Sequence, residues 1–213
     1  MPATVWRVGR ASDPLRFSEI NPEDGVELLG GNRFDVAGGG VLYAATTPTG
    51  CYAETLARYR PTAAMRRLRA QPDEHLMETG SVPADWRERR RLVSFGLESP
   101  LPFLDVDAPE THTYLTEAMA EWLDGIGRTN LDVAELRGKD RRLTRRVALF
   151  AYTAKHPSGE FRYAGIRYES RLGEHECWAI FKPAAIVRDE RRTIGLDDES
   201  LRTIARQFDL VLH

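Results

Sequence analysis

The stretch GIRYESRLGEHECWAIF, residues 165–181, decides the fold. Its first part alternates, with Ile166, Tyr168 and Ser170 on one side and charged residues on the other, which is typical of a strand with one buried face. Its last part, CWAIF, is a continuous apolar run, which indicates a fully buried strand. The stretch therefore predicts two successive strands, with Ser170 at the end of the first.

The first half of the chain predicts three more strands. TVWRVGR at residues 4–10 alternates between apolar and polar positions, and LVSFGLES at residues 92–99 does the same. Between them, GVLYAATT at residues 40–47 is apolar on both faces and predicts a buried strand. This interpretation places Arg7 in the first strand and Tyr43 in the middle of the buried one.

The helix that follows residues 40–47 has a clear start. Thr47 suits the N-cap, and Pro48 suits the first helical position because its missing N–H group is not needed there. The apolar side of this helix is marked by residues at helical spacing, which are Tyr52, Leu56 and Tyr59. Glu54 points away from that side, so it faces solvent or a cleft.

Amphipathic patterns predict three further helices, at residues 111–127, 139–154 and 197–208. The chain shows no internal repeat or obvious linker, so we expect a single domain over residues 1–213. The segment 60–91 is rich in arginine. The cluster at its end fits a solvated face or a basic patch that meets an acidic partner, and consists of Arg87, Arg89, Arg90 and Arg91.

The composition indicates a folded protein rather than a coat for nucleic acid. Of the 213 residues, 42% are hydrophobic and 29% are charged, and the net charge is -2. The 2 cysteines and 5 histidines match no zinc-binding spacing, so no metal is expected. The N-terminus lacks the apolar run of a secretion signal, and no segment is long enough to span a membrane. These features predict a cytoplasmic protein.

Arg33 is the first candidate site residue. It lies in GNRFDVAGGG, residues 31–40, with glycines on both sides. Its planar guanidinium can donate two hydrogen bonds to one phosphate group, and nearby bare backbone N–H groups favour the same ligand. A surface arginine beside a flexible turn is the structural alternative. The glycines fit neither a P-loop nor a dinucleotide-binding fingerprint.

Three other residues carry suitable chemistry. Glu54 suits cleavage of an N-glycosidic bond, because a carboxylate stabilises the positive charge that develops on the sugar. Tyr43 suits stacking on a base or a nicotinamide ring, and Ser170 suits donation to a carboxamide or a phosphate. The structural alternatives are a solvated helix glutamate, a core aromatic and a polar strand end. No GxSxG elbow surrounds Ser170, which argues against a serine nucleophile.

Together and in this order, these segments resemble the RES-domain family, which is named after its Arg, Glu and Ser residues. The matching blocks cover about residues 5–182 and include WRV, the turn with Arg33, LYAATT, the helix with Glu54 and the stretch 165–181. The family is similar to ADP-ribosyltransferases. This similarity implies an α+β fold with a split, mainly antiparallel β core, surrounding helices and an NAD cleft.

Two features depart from the family pattern. An asparagine separates Gly31 from Arg33, where the family more often has Gly-Arg-Trp-Asn. The segment 60–91 is also longer than in compact members, which suggests a lid or a partner-binding insertion.

The resemblance implies a toxin that cleaves NAD by hydrolysis or phosphorolysis. NAD would be a substrate, with no cofactor and no metal. Arg33 would hold the NAD phosphates, Glu54 would support the ribosyl cation, and Ser170 would orient nicotinamide or its ribose. Tyr43 would pack on nicotinamide, and Arg7 would be a further NAD contact.

The family also implies a partner, an Xre-type antitoxin that covers the cleft. Nucleic acid would then be bound only indirectly through the antitoxin. An assembly with the antitoxin is expected, and whether the chain forms a homo- or hetero-oligomer stays open. Two alternatives stay open. One is an ADP-ribosyltransferase that modifies a protein target, and the other is a non-catalytic partner-binding module whose three named residues do not converge. The near-neutral charge and the lack of a helix-turn-helix signal argue against DNA binding.

Overall fold

A computed structural model describes residues 1–23, 31–68, 79–98 and 100–213. Their centre is an 8-stranded mixed sheet, and helices surround it. The strands are β1 Val5–Arg10, β2 Ser18–Glu19, β3 Gly40–Ala45, β4 Ser81–Val82, β5 Arg90–Leu97, β6 Phe103–Asp105, β7 Gly165–Glu169, β8 Glu176–Phe181, β9 Ile186–Arg192 and β10 Val211–Leu212. The helices are α1 Pro48–Leu56, α2 Ala63–Leu68, α3 Ala84–Glu88, α4 Pro109–Ala118, α5 Ala120–Gly125, α6 Val133–Leu136, α7 Arg141–Thr153 and α8 Glu199–Phe208.

The main sheet has the strand order β6-β7-β8-β3-β1-β5-β9, and β2 pairs with the start of β3. Neighbouring strands are antiparallel except β6 and β7, which are parallel. A second, two-stranded sheet joins β4 and β10. This architecture confirms the predicted α+β class with a mainly antiparallel core and surrounding helices.

The sheet is split between β1 and β3. These two strands share a single residue pair, Trp6 with Ala45, whereas β1 pairs with β5 along its whole length. Beyond that pair, the Arg7 guanidinium bridges the gap, because its Nη1 donates to the Tyr43 carbonyl at 2.7 Å and its Nε donates to the Pro14 carbonyl at 2.9 Å. The strands diverge there, and a cavity opens beside them.

Helix α1 begins as the sequence predicts and is held by the C-terminal helix. The Thr47 hydroxyl accepts a hydrogen bond from the Gly50 N–H at 3.2 Å, and Pro48 occupies the first turn. Tyr52 is fully buried, and its hydroxyl donates to Asp198 at the start of α8 at 3.0 Å. This packing turns the opposite side of α1, with Glu54, toward the cavity.

Two cores hold the elements that carry the site. One lies between the sheet and the helices α4 to α7, and includes Leu115, Val147 and Ile166. The other lies between α1, α3 and α8, and includes Tyr52, Trp86 and Phe208. Burial of each such large side chain stabilises the fold by about 1.5–3 kcal/mol.

Several predicted elements differ from the structure in detail. The helix expected at 111–127 is divided at Met119 into α4 and α5, and the last helix spans Glu199–Phe208 rather than 197–208. Part of the expected lid or insertion at 60–91, residues 69–78, lies outside the described residues. In its later part, α3 packs Trp86 into the core around α8, and the lid or insertion at 60–91 stays a prediction. The assignment of the whole chain to one domain stays a prediction.

Within the described residues, no helix is long and apolar enough to cross a membrane. The same part of the chain contains no group of three or more His, Cys, Asp or Glu side chains placed to hold a metal ion. Cys51 and Cys177 are both buried free thiols.

Candidate active site

The cavity at the split in the sheet has a volume of about 390 Å³, which is within the usual range for a small-molecule site. Its walls come from β1, β3, α1, the turn before β3, the start of α7 and the end of β7. They include Arg7, Arg33, Tyr43, Cys51, Glu54, Thr55, Arg141, Tyr168 and Arg171. Four of the five candidate residues therefore line one cavity, and Ser170 does not line it directly.

Ser170 lies behind Glu54 and contacts it. The Ser170 hydroxyl donates to Glu54 Oε1 at 2.6 Å, across a separation of 116 residues in the chain. Ser170 is only 5% exposed, its N–H donates to the His175 carbonyl at 2.8 Å, and its hydroxyl accepts from the Leu172 N–H at 3.0 Å. A short hydrogen bond from a hydroxyl to a carboxylate is among the stronger ones in proteins. Ser170 therefore holds the Glu54 carboxylate in place.

Glu54 itself is exposed to the cavity. Within the described residues its carboxylate has one hydrogen-bond partner, the Ser170 hydroxyl, on Oε1. The second oxygen, Oε2, is thus available to a ligand in the cavity.

Two aromatic rings pack against the guanidinium of Arg33. Its guanidinium carbon lies 5.2 Å from the centre of the Tyr168 ring and 5.8 Å from that of Phe34, and the side chain is 8% exposed. Within residues 1–23, 31–68, 79–98 and 100–213, this guanidinium donates no hydrogen bond. Burial lowers the pKa of Arg33, the Tyr168 hydroxyl opposes this, and nearby Arg171 lowers it further. An arginine remains charged under these conditions, so a cation without a hydrogen-bond partner faces the cavity.

Two arginines that the sequence did not single out as site residues add to this charge. Arg141 is the first residue of α7 and Arg171 follows Ser170, and both line the cavity. Arg141 Nη1 is buried and has no hydrogen-bond partner among the described residues. Burial lowers the pKa of Arg141, and the like charges of Arg171 and Arg33 lower it further. Three guanidinium groups therefore repel each other at one wall of the cavity, and an anionic ligand would relieve this repulsion.

A local signal for Arg141 exists in the sequence. Positive side chains are unfavourable in the first turn of a helix, where the N–H groups already present partial positive charge. Asp140 marks that start as an N-cap, and its carboxylate accepts from the Arg142 N–H at 3.0 Å. Basic residues directly after such a cap break the local rule, and violations of this kind occur at functional sites.

The turn that carries Arg33 is fixed by a buried carboxylate. Asp35 is 1% exposed and accepts hydrogen bonds from the Asn32 N–H at 2.7 Å and the Tyr43 hydroxyl at 2.9 Å. The Tyr43 hydroxyl in turn accepts from the Phe34 N–H at 3.1 Å. Gly31 has φ +59, and a Cβ atom there would approach Asp35 Oδ2 to 2.8 Å, so glycine is required. The hydroxyl of Tyr43 thus orders the turn, and its ring remains in the cavity wall.

Arg7 also lines the cavity, with its guanidinium bound to the Tyr43 and Pro14 carbonyls. Burial is the main cause that lowers the pKa of Arg7. These hydrogen bonds give Arg7 a structural role, because they bridge the diverging strands β1 and β3. Any contact with a ligand would use the face of the guanidinium or its remaining N–H groups.

Comparison with known proteins identifies the family. Residues 4–202 match the model of the RES domain, so the protein belongs to the RES-domain family. Among solved structures, one similar chain is in the crystal structure of the M. tuberculosis MbcT-MbcA toxin-antitoxin complex, with 13% sequence identity and a TM-score of 0.44. That likeness covers 89% of this chain and 84% of the other. No curated protein matches the sequence.

Proposed function

We propose that this protein cleaves the bond between nicotinamide and ribose in NAD, which it consumes as a substrate. One observation carries the proposal: a single cavity opposes the Glu54 carboxylate, held by Ser170, to three guanidinium groups. NAD combines a pyrophosphate with a ribose that becomes cationic when nicotinamide leaves. Membership of the RES-domain family supports the same assignment.

The arginine wall suits the pyrophosphate of NAD. Arg33, Arg141 and Arg171 can each donate two N–H groups to one phosphate. The ring of Tyr43, which is a residue of β3, would pack on nicotinamide, and Arg7 lines the same cavity.

Glu54 would act on the ribose. As the C1′–N bond breaks, its electron pair stays on nicotinamide and neutralises the pyridinium, while positive charge develops on the sugar. The Glu54 carboxylate stabilises that charge, and an oxygen of water or phosphate then bonds to C1′. When water is the acceptor, one of its protons is released to solvent, whereas an anionic phosphate oxygen has no proton to lose. Ser170 positions the carboxylate through the 2.6 Å hydrogen bond and need not touch the substrate.

The acceptor is water or phosphate in the first form of the proposal. Transfer of ADP-ribose to a protein side chain is the alternative, since the same cleft can serve it. The convergence of Arg33 and the Glu54–Ser170 pair around one cavity disfavours the third idea, a non-catalytic module.

A biological role as the toxin of a toxin–antitoxin pair follows from the family resemblance and forms part of the proposal. An Xre-type antitoxin would cover the cleft, act in the cytoplasm and provide any contact with nucleic acid. Co-expression of the chain with such an antitoxin should restore growth and block NAD cleavage.

The first experiment follows the products of NAD by chromatography after incubation with the purified chain, with and without phosphate. We expect free nicotinamide, with ADP-ribose from hydrolysis or a phosphorylated ADP-ribose if phosphate is the acceptor. Label from NAD on a protein would favour transfer instead. Glu54→Gln should reduce turnover by about 10²–10³-fold, by analogy with the loss of one charge-stabilising group. Glu117→Gln, an exposed change on α4, is the matched control. An active, folded Glu54→Gln enzyme would overturn the assignment.

A further inference from the structure

A second cavity gathers arginines where β1 ends and β5 begins. Its volume is about 760 Å³, and it shares no lining residue with the candidate active site. We call it the arginine pocket, and its walls include Arg10, Arg58, Tyr59, Trp86, Arg89 and Arg90. It joins part of the arginine cluster at 87–91 to cations from the end of β1 and the turn after α1.

Three of these cations have no carboxylate partner in the part of the chain that the structure describes. Within the described ranges of the chain, no Asp or Glu oxygen lies within 4.0 Å of the guanidinium of Arg10, Arg58 or Arg90. Asp85 and Glu88 also line the pocket, but Asp85 is paired with Arg89 at 3.1 Å. The pocket therefore carries an excess of positive charge.

Aromatic rings orient two of the guanidinium groups. Arg58 lies 4.9 Å from the centre of the Tyr59 ring and donates to its hydroxyl at 2.9 Å. Arg90 lies 4.9 Å from the centre of the Trp86 ring and donates to the Trp86 carbonyl at 3.2 Å. A guanidinium that is stacked on a ring loses less side-chain entropy on binding, because its plane is already set.

The backbone forces like charges together at this pocket. Arg10 and Arg90 are directly opposite each other in the antiparallel pair of β1 and β5. Like charges at such positions destabilise a sheet. Burial lowers the pKa of Arg90, and the charges of Arg58 and Arg10 add to this, so the three groups are close enough to repel. A bound anion would remove this repulsion.

We propose that the arginine pocket is a second anion site, which binds the phosphate groups of a ligand that carries two or more of them. A phosphate group presents more acceptor oxygens than a carboxylate, so one chain of linked phosphates can reach guanidinium groups from three different elements. The volume of the pocket exceeds that needed for a single small ion. This site is independent of NAD cleavage, because its residues are separate from the cleft.

Nuclear magnetic resonance of the tryptophan indole groups tests this proposal at the site itself. The full chain, labelled with ¹⁵N, is titrated with inorganic pyrophosphate and tripolyphosphate, and Trp86→Phe assigns the Trp86 signal. We expect that signal to move and saturate with pyrophosphate, and to move little with sodium chloride of matched ionic strength. The Arg58→Gln/Arg90→Gln double variant should bind at least tenfold more weakly, whereas Arg202→Gln on α8 should bind as the original chain does.

The remaining indole signals, from Trp6, Trp122 and Trp178, report whether each variant is folded. If the double variant is unfolded, Arg10→Gln replaces it, because that exposed side chain has no partner to lose within the described residues. A Trp86 signal that follows only ionic strength would overturn the proposal, and so would unchanged affinity in the folded variants. Tighter binding of a hexaglutamate peptide than of tripolyphosphate would instead assign the pocket to an acidic protein segment.

Discussion

Replacing Ser170 with alanine distinguishes between two possible roles of this serine. One role is to hold the Glu54 carboxylate, and the other is to contact the substrate. In the structure its hydroxyl donates to Glu54 at 2.6 Å and does not line the cavity. A hydrogen bond to a charged group contributes about 1.5–3 kcal/mol, and water can replace part of it because Glu54 is exposed. A net loss of about 1–2 kcal/mol in transition-state stabilisation corresponds to roughly a 5- to 30-fold lower kcat.

The assay is steady-state release of nicotinamide from NAD by the original chain, Ser170→Ala, Glu54→Gln and the double variant. We expect kcat to fall and KM to change little in Ser170→Ala, since the serine acts through Glu54. The double variant should be no slower than Glu54→Gln alone, because the serine then has no carboxylate to hold. Multiplicative effects of the two changes, or a raised KM in Ser170→Ala, would refute the reasoning and place Ser170 against the substrate.

The thermal stability of Ser170→Ala is the control for this test. Ser170→Ala also removes the hydrogen bond from the Leu172 N–H, which contributes about 1 kcal/mol. For a chain of this length that loss corresponds to roughly 2–4 °C in Tm. The variant should therefore be folded at 25 °C, which thermal unfolding verifies.

Three further predictions concern the cavity and its support. Arg141→Gln should raise the KM for NAD about tenfold or more while the Tm without ligand stays the same or rises, because the change removes one charge from a cluster of like charges. Arg142→Gln, whose arginine is paired with Asp140 at 3.2 Å, is the matched control, and equal effects of the two changes would contradict the prediction. Tyr52→Phe should lower the free energy of unfolding by about 1 kcal/mol in urea, through loss of the hydrogen bond to Asp198, and a loss near zero would show that this bond contributes nothing. Burial raises the pKa of Cys51 from 9.0 to about 12, so between these values the folded thiol stays protonated while the unfolded thiol ionises. The free energy of unfolding should therefore fall as the pH rises from 9 toward 12. Urea unfolding at a series of pH values should show a smaller fall for Cys51→Ala, and an unchanged dependence on pH would contradict this prediction.

Periodicity and capping predicted the elements that carry the site. The start of α1 follows from Thr47 and Pro48, and β3 and β8 follow from long apolar runs. The charged edge strand β9 was not predicted, since most of its residues are exposed and its side chains do not alternate between apolar and polar. The division between α4 and α5 at Met119 was not predicted either, because no Gly or Pro lies there to indicate it.

The candidate site was only partly predictable, because its contacts join distant parts of the chain. Family resemblance named Arg33, Glu54 and Ser170, but local sequence gives no sign that Ser170 contacts Glu54 rather than the cavity. The role of Asp35, which orders the turn through Tyr43, depends in the same way on strand β3 lying beside that turn. Arg141 does carry a local sign in the sequence, which is a positive charge at the start of a helix.

The hydrogen bond between Glu54 and Ser170 joins residues that the ribosome adds at different times. A ribosome adds about 5–20 residues per second. The 116 residues between the two side chains therefore take about 6–23 s to synthesise. β8, which pairs with β3 beside the cavity, is made later still. Each newly made chain thus passes through an interval in which Glu54 has been synthesised but Ser170, which orients its carboxylate, has not.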